Sequence, residues 1–331
     1  MIEDEEWFGG GFDFEDDYED VAVESSHISF VGCDLEEIMN CIRATEADLG
    51  YCERAKLVEV KMGSMALCRG QQGEELREAG AIHALLSTLM ELLNKIPTPR
   101  DPCTSDTETV LAIKLAIACW GAARDLGCGS AGNREALREI KFDGMGGMKL
   151  LSKYLELYDG VYWDEIDRLH LKLLTGFIGT IRNVTHSTAE NCTELHEYGV
   201  STMLMWRLKH GSSQDAVEIL SLPDAFDPWR EGAFRSASAL INMAEKCHAS
   251  AALSGTDPGI IRLLVESWGG TQKKLPVLHL GLAAVLRCAK EQLPPHLYDH
   301  GWDGILDNEK QRKVAAQTRE EERKRVATSS D

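Results

Sequence analysis

The chain has 331 residues, a hydrophobic share of 44% and a formal net charge of −19 at neutral pH. It is long enough to bury a sizeable core, and its acidic balance argues against a protein that binds along nucleic-acid phosphates. No apolar run approaches the ~20 residues of a membrane-spanning helix, and the acidic N-terminus is the opposite of a secretory or mitochondrial signal. These features predict a cytoplasmic protein, with the nucleus as a second compartment to consider, and neither a membrane span nor a nucleic-acid partner.

The N-terminal segment is the most acidic part of the chain: residues 1–24 carry eleven Asp or Glu residues and no Lys or Arg. Such a composition cannot form a core, so residues 1–30 are predicted to be a disordered tail. Aromatic side chains lie among these carboxylates, at Trp7, Phe8, Phe12 and Phe14. Aromatic residues in an acidic tail are typical of short motifs that dock on partner proteins. Two alternatives stay open: an inert solubilising leader, and a tail that lies on basic residues of its own chain.

Residues 31–295 are predicted to form one helical repeat domain. Its clearest copy begins at Leu169 with LHLKLLTGFIGTIRNVTHSTAENCTELHEYGVSTMLMWRL. Apolar residues follow helical spacing in its first half, after which the polar segment HSTAEN contains several cap-forming residues. NCTELHEYGV then predicts a short polar helix that ends near Gly199, and STMLMWRL begins another apolar helix.

The same pattern recurs along the chain. Asp125 stands 58 positions before Asn183, and Asn242 stands 59 positions after it. Asn133 likewise precedes Asn191 by 58 positions. Three-helix units of this kind cannot bury their apolar faces alone and must stack on their neighbours, so the repeat predicts an all-α fold built as an α-solenoid.

Two strings carry a resemblance to a known family: GTIRNVTHSTAENCTELHEYGVSTML and WGAARDLGCGSAGNREALREIKFDGM resemble armadillo repeats of the adenomatous polyposis coli and catenin type. The likeness covers about residues 55–290. It implies an armadillo-like α-solenoid, which is a superhelical stack of three-helix repeats, and it implies a role in binding other proteins. The period departs from the family, because its repeats have about 42 residues and these have nearly 60.

The extra residues lie between the second and third helix of each unit, at 94–107, 158–165 and 212–229. Insertions at one position of a repeat are expected to project from one edge of a solenoid. They are predicted to be either partner-specific loops or surface decoration, since long surface loops cost little stability.

The resemblance also implies that the third helix of each unit lines a concave groove. Reading back from Asn183 at helical spacing gives Gly179, Gly176 and Lys172 on one face. Small residues would admit the backbone of an extended partner peptide, and an Asn amide could donate and accept hydrogen bonds to it. Neighbouring arginines could meet acidic partner side chains. The candidate partner-binding residues are Asn183, Asn242, Asp125, Arg182, Arg124, Lys172, Lys114 and Arg235.

A structural role for the same positions is the alternative. Gly and Ala also permit close helix packing, and an Asn at a helix end is often a local cap. The groove hypothesis predicts that replacing Asn183 and Asn242 with Ala weakens partner binding and leaves the melting temperature nearly unchanged. Importin-type recognition of nuclear signals is not expected, because that array has Trp four residues before each groove Asn, where this chain has Gly179 and Ser238.

No catalytic motif is found. HExxH, GxSxG and kinase signatures are missing, and DGMGG lacks the Lys-Ser/Thr of a phosphate loop. The ten cysteines have no metal-ligand spacing and are expected to be reduced. His296 and His300 lack a third ligand nearby. The sequence therefore predicts no enzyme, no cofactor and no metal site.

The C-terminal residues 296–331 are predicted to form a charged helix or tail, because apolar periodicity ends after Pro294 and Pro295. For the whole chain we expect a non-catalytic scaffold or adaptor, a monomer or one subunit of a complex, which holds an extended partner segment in the groove. The alternative is a structural subunit of a larger cytoskeletal or signalling assembly that uses the convex face and the inserted loops.

Overall fold

A computed structural model describes residues 50–58, 71–99, 107–128, 130–142, 144–210, 228–269 and 276–307. The predicted tail with Trp7, Phe8, Phe12 and Phe14 lies outside these ranges, as does most of the insertion at 212–229. The described helices are α1 (Tyr51–Leu57), α2 (Gln71–Glu78), α3 (Ala81–Leu93), α4 (Thr107–Gly127), α5 (Ala131–Glu139), α6 (Gly147–Glu156), α7 (Arg168–Val184), α8 (Ala189–Glu197), α9 (Val200–Lys209), α10 (Pro228–Lys246), α11 (His248–Ser254), α12 (Pro258–Gly269) and α13 (Pro276–Gln292).

The described part of the chain is mostly helical, which confirms the all-α prediction. Its two strands, β1 (Lys141–Phe142) and β2 (Met145–Gly146), form a small antiparallel hairpin between α5 and α6. Short 3-10 helices lie at Trp163–Glu165 and His300–Trp302. No described helix has the length and apolar character that would let it cross a membrane.

The helices recur in one order: a short helix, a medium helix and a long helix. We call each such set a unit; the four units are α2–α3–α4, α5–α6–α7, α8–α9–α10 and α11–α12–α13. The long helices pack in series, α4 on α7, α7 on α10 and α10 on α13, and α1 packs on α4. Each long helix therefore buries its apolar residues against the long helices of neighbouring units.

The clearest copy of the repeat, which begins at Leu169, folds as its periodicity predicts. Asp167 caps α7 by accepting hydrogen bonds from the backbone N–H groups of Leu169 and His170. Gly199, with φ 79°, links α8 to α9, and Gly80, with φ 87°, links α2 to α3. A left-handed φ favours glycine, which lacks the Cβ that would clash there. The predicted short helix ending near Gly199 is thus confirmed.

The core between the first two units is aromatic. Trp120 of α4 meets Tyr154 of α6 edge to face, with ring centroids 5.2 Å apart. Phe177 of α7 lies 6.0 Å from Tyr154, and the Tyr154 hydroxyl donates to the Leu89 carbonyl at 2.8 Å. Such pairs add to the burial energy by about 0.5–1.5 kcal/mol each.

The insertion at 158–165 is predicted to project from one edge of the helical stack, but part of it packs against the helices instead. Val161, Trp163 and Ile166 are buried, while Tyr162 is 46% exposed. The Trp163 indole donates to the Arg207 carbonyl at 3.2 Å, and its ring lies where a side chain at Gly232 would be. The insertion is therefore part of the core between the second and third units, because its apolar residues have a partner surface there.

Arg207 of α9 holds this insertion from the other side. Its guanidinium donates to the Val161 carbonyl at 2.5 Å and lies 5.6 Å from the Trp163 ring and 5.0 Å from the Trp206 ring. Burial lowers the pKa of Arg207 to about 10. The side chain remains charged at neutral pH, stabilised by aromatic faces and a carbonyl oxygen.

Packing continues past residue 295. Tyr298, Trp302 and Leu306 are buried, and Tyr298 meets Trp302 edge to face at 5.4 Å. Asp303 accepts hydrogen bonds from Lys290 at 2.9 Å and from the Tyr298 hydroxyl at 3.1 Å. The first residues of the predicted charged tail thus cover the end of α13.

Candidate partner-binding surface

The two candidate groove asparagines occupy equivalent places in successive units. The Asn183 amide at the end of α7 donates to the Arg124 carbonyl at 2.9 Å. The Asn242 amide of α10 donates to the Arg182 carbonyl, also at 2.9 Å. Each amide therefore connects a long helix to the C-terminal end of the previous one. Within the described residues no donor reaches either Oδ1 atom, and neither atom is among the fully buried ones without a partner.

A second pair of asparagines has a purely internal position. Asn133 of α5 and Asn191 of α8 are buried, and each donates to a carbonyl at the end of the preceding long helix, Leu126 or Val184, at 2.9 Å. Asn191 also donates to the Arg134 carbonyl of the preceding short helix at 3.1 Å. These amides fasten one unit to the next and are out of reach of a ligand.

The small residues on the long helices fall into two groups. A Cβ added at Gly121 of α4 or Gly176 of α7 would have no atom within 4 Å. A Cβ at Gly179 would lie 2.9 Å from Nη1 of Arg235 and 3.2 Å from Cδ of Arg124. Gly121 and Gly176 thus border open space among the described residues, whereas Gly179 is covered by two arginine side chains.

The three candidate arginines lie near one another, and two of them, Arg124 and Arg235, cover Gly179. Arg124, Arg182 and Arg235 come from α4, α7 and α10, and we call them the arginine cluster. Arg124 forms an ion pair with Asp125 at 2.8 Å. Arg235 pairs with Glu231 and also donates to the Thr175 carbonyl at 2.8 Å.

Arg182 lies 5.7 Å from the ring centroid of Phe234. Burial is the main cause that lowers the pKa of Arg182, and the charge of Arg235 lowers it further. Burial likewise lowers the pKa of Arg235, while Glu231 acts in the opposite direction. The structure thus assembles three guanidinium groups from three successive units.

Two predicted site residues lie apart from this cluster. Lys114 is exposed and Lys172 is half-buried, each in the N-terminal half of its long helix. The sequence analysis also missed Phe234, at which no repeat position pointed, and Lys246, which lies in the last turn of α10. A basic residue at the end of a long helix was a usable signal for the second, because cations favour helix C-termini.

His186, after the end of α7, connects the arginine cluster to Lys246 electrostatically. Burial lowers its pKa, and the positive charges of Arg134, Arg182 and Lys246 act in the same direction. Lys246 itself pairs with Glu245 at 2.8 Å. Glu245 acts in the opposite direction, and the net effect lowers the pKa of His186, so its imidazole is mainly neutral at pH 7.

Comparison with protein-family models, with curated proteins and with solved structures finds no match to this chain.

Proposed function

We propose that this chain is an armadillo-type α-solenoid that acts as a non-catalytic scaffold, holding an extended segment of a partner protein along its long helices. The observation that carries the proposal is the open space at Gly121 and Gly176. Glycine inside a helix costs roughly 1 kcal/mol relative to alanine. Packing among the described residues does not require glycine at these two positions, so a closely approaching partner backbone is the reason that we propose for it.

Other glycines of the fold show what a packing requirement looks like. A methyl group added at Gly281 of α13 would overlap the backbone oxygen of Ile241 in α10. One added at Gly147 would overlap the Leu137 carbonyl. Gly121 and Gly176 have no such neighbour among the described residues, which favours the groove hypothesis over the packing alternative at these positions.

The chemistry around the open glycines suits a peptide backbone with acidic side chains. The Oδ1 atom of half-buried Asn183 can accept a hydrogen bond from a partner N–H group, since only its Nδ2 atom is used internally. Asn242 uses its amide in the same way but is buried, so it is less accessible to a partner. The arginine cluster supplies guanidinium groups that bind carboxylates through paired hydrogen bonds. Asp125 does not fit this role directly, because it is buried and pairs with Arg124.

The described groups that resemble a catalytic arrangement are part of the packing. His196 Nδ1 lies 3.0 Å from the Ser201 hydroxyl, which lies 3.0 Å from the Ser250 hydroxyl. Both serines are completely buried, so no substrate can reach them. Burial raises the pKa of Cys119 and of Cys192 to about 12, which keeps both thiols protonated at neutral pH and poor nucleophiles.

The alternative of a permanent assembly subunit has less support. Such a subunit should expose a broad apolar face. The large exposed hydrophobic residues of the described chain lie on four different segments: Tyr162, Tyr198, Leu280 and Leu297.

A peptide-display selection on the purified full chain tests the proposal. Selected linear peptides are then measured by fluorescence anisotropy against the Gly121→Leu/Gly176→Leu variant and against Gly304→Leu. Gly304 is a matched control, because it also borders open space but lies outside the long helices. We expect the double variant to bind the peptides at least about tenfold more weakly, since each lost contact of about 1.4 kcal/mol is tenfold in affinity.

The Gly304→Leu control should bind like the wild type, and all three proteins should melt within a few degrees of one another. Peptides that bind the double variant as tightly as the wild type would place the partner surface elsewhere and contradict the proposal.

A further inference from the structure

The arginine cluster continues along the ends of the long helices to Lys246. Arg124 and Arg235 both lie close to the place of a Cβ at Gly179. The charge of Arg235 acts on Arg182, and the charges of Arg182 and Lys246 both act on His186. We call Arg124, Arg182, Arg235 and Lys246 the basic stripe. It crosses α4, α7 and α10.

Positive charge exceeds negative charge along this stripe. Asp125, Glu231 and Glu245 each pair with one of its cations. The remaining cation, Arg182, contacts the Phe234 ring and has no ion pair with a described carboxylate. The side chains of Arg124 and Lys246 are 31% and 34% exposed, so a ligand can reach both ends.

The same chain contains a segment of opposite charge. Residues 1–24 hold eleven of its 54 acidic residues and none of its 35 Lys and Arg residues. That density of carboxylates matches the exposed guanidinium and ammonium groups of the stripe. The aromatic residues among them can add contacts with arginine faces.

The connecting chain is long enough for the segment to reach the stripe. Residues 25–49 join it to Gly50, just before α1. Packed helices lie about 8–10 Å apart, so α10 is about 30 Å from α1 across three packing steps. Twenty-five residues span about 37 Å even at the rise of an α-helix, and roughly 80 Å when extended.

We propose that residues 1–24 dock on the basic stripe of their own chain and compete there with the partner segment. The docking is argued only from the opposite charges of the segment and the stripe and from the length of the connecting chain. The competition rests on the proposed function. Individual exposed ion pairs contribute little. A tethered segment, however, has an effective concentration in the millimolar range, which is sufficient for weak contacts to keep a site occupied. Partners that bind must therefore displace the segment first.

Fluorescence anisotropy with a labelled synthetic peptide of residues 1–24 tests this inference. The main protein is the full chain in which the eleven Asp and Glu residues of that segment are replaced by Asn and Gln, which we call the neutralised chain. It should bind the peptide at least about tenfold more tightly than the wild-type chain, whose own segment occupies the stripe. Raising the salt from about 50 mM to about 300 mM should weaken the binding, because the Debye length shortens.

Two further variants of the neutralised chain locate the site. Arg124→Gln/Lys246→Gln removes the two outer cations of the stripe, whose side chains are about one-third exposed, and circular dichroism checks that the variant is folded. We expect it to lower the affinity about tenfold or more, in line with a loss of 1.4 kcal/mol. Lys153→Gln is the matched control, since Lys153 is an ion-paired surface lysine on α6, and it should leave the affinity unchanged.

The inference is overturned if the neutralised chain does not bind the peptide, or if the Arg124→Gln/Lys246→Gln variant binds it equally well. If the wild-type chain blocks peptide binding more strongly as its own concentration rises, its segment docks on a second copy of the chain. This result also overturns the inference. Display-selected peptides separate the two proposals. If the selected peptides bind the neutralised chain and the peptide of residues 1–24 does not, the proposed function stands and this inference fails. If only the peptide of residues 1–24 binds, the docking stands and the proposed external partner fails.

Discussion

The open and packed faces of the long helices use the same residue type for opposite reasons. Gly281 is glycine because Ile241 of the neighbouring long helix leaves no room for a side chain. Gly176 is glycine although a side chain would meet nothing among the described residues. The packed face is explained by the fold alone. The open face is not explained by contacts among the described residues, and it is the face that we propose as the partner surface.

The asparagines show the same contrast in weaker form. Asn191 is completely buried and uses its amide for two carbonyls of neighbouring helices. Asn183 uses its amide for one carbonyl and keeps its Oδ1 available. A residue at the boundary between the faces can thus serve the fold and a partner at once.

The largest expected effect is on the packed face. Gly281→Ala should lower the free energy of unfolding by about 3 kcal/mol, because overpacking against backbone cannot be relieved by a rotamer change. Chemical denaturation followed by circular dichroism measures the loss. A Gly281→Ala protein as stable as the wild type would mean that α13 and α10 can separate without cost, and the contrast between the faces would be lost.

Asn191→Ala should cost about 1–3 kcal/mol, since it leaves the Val184 and Arg134 carbonyls without a buried donor. Partner-peptide affinity should be unchanged when it is measured well below the melting temperature. A loss of affinity in the folded variant would place Asn191 at the partner surface, against its burial.

Asn183→Ala and Asn242→Ala should each cost about 0.5–1.5 kcal/mol, because each removes one hydrogen bond between long helices. This differs from the sequence-based expectation of an unchanged melting temperature, which took the amides to face only a partner. The double variant should also bind display-selected peptides more weakly. Unaltered peptide affinity with reduced stability would assign both amides to packing alone.

The smallest effect has the opposite sign. Gly176→Ala should raise the stability by up to about 1 kcal/mol, since alanine is the better helix former and has room there. The same change should weaken peptide binding, as the added methyl group keeps the partner backbone at a distance. A destabilised Gly176→Ala protein would show that the space is filled, and would remove the main support for the groove.

Helix positions in the middle of the chain could be predicted from sequence because periodicity, caps and Gly199 are local signals. The spacing of Asn183 and Asn242, and separately that of Asn133 and Asn191, also indicated positions that make equivalent contacts. The packing of the 158–165 insertion could not be predicted, because it depends on Arg207 and Gly232, which come from the next unit. The contact of Arg124 and Arg235 over Gly179 could not be predicted either, because helical spacing places residues on a face but does not say which side chains of neighbouring helices meet there.

The contact of Trp163 with Gly232 and Arg207 also has a mechanical consequence. In a stack of units, bending is distributed over the interfaces, and the interface with the fewest contacts across it bends most easily. Trp163 adds a rigid indole between the second and third units, backed by a hydrogen bond to the Arg207 carbonyl. The joint between the second and third units therefore has a rigid aromatic contact in addition to the packing of α7 on α10.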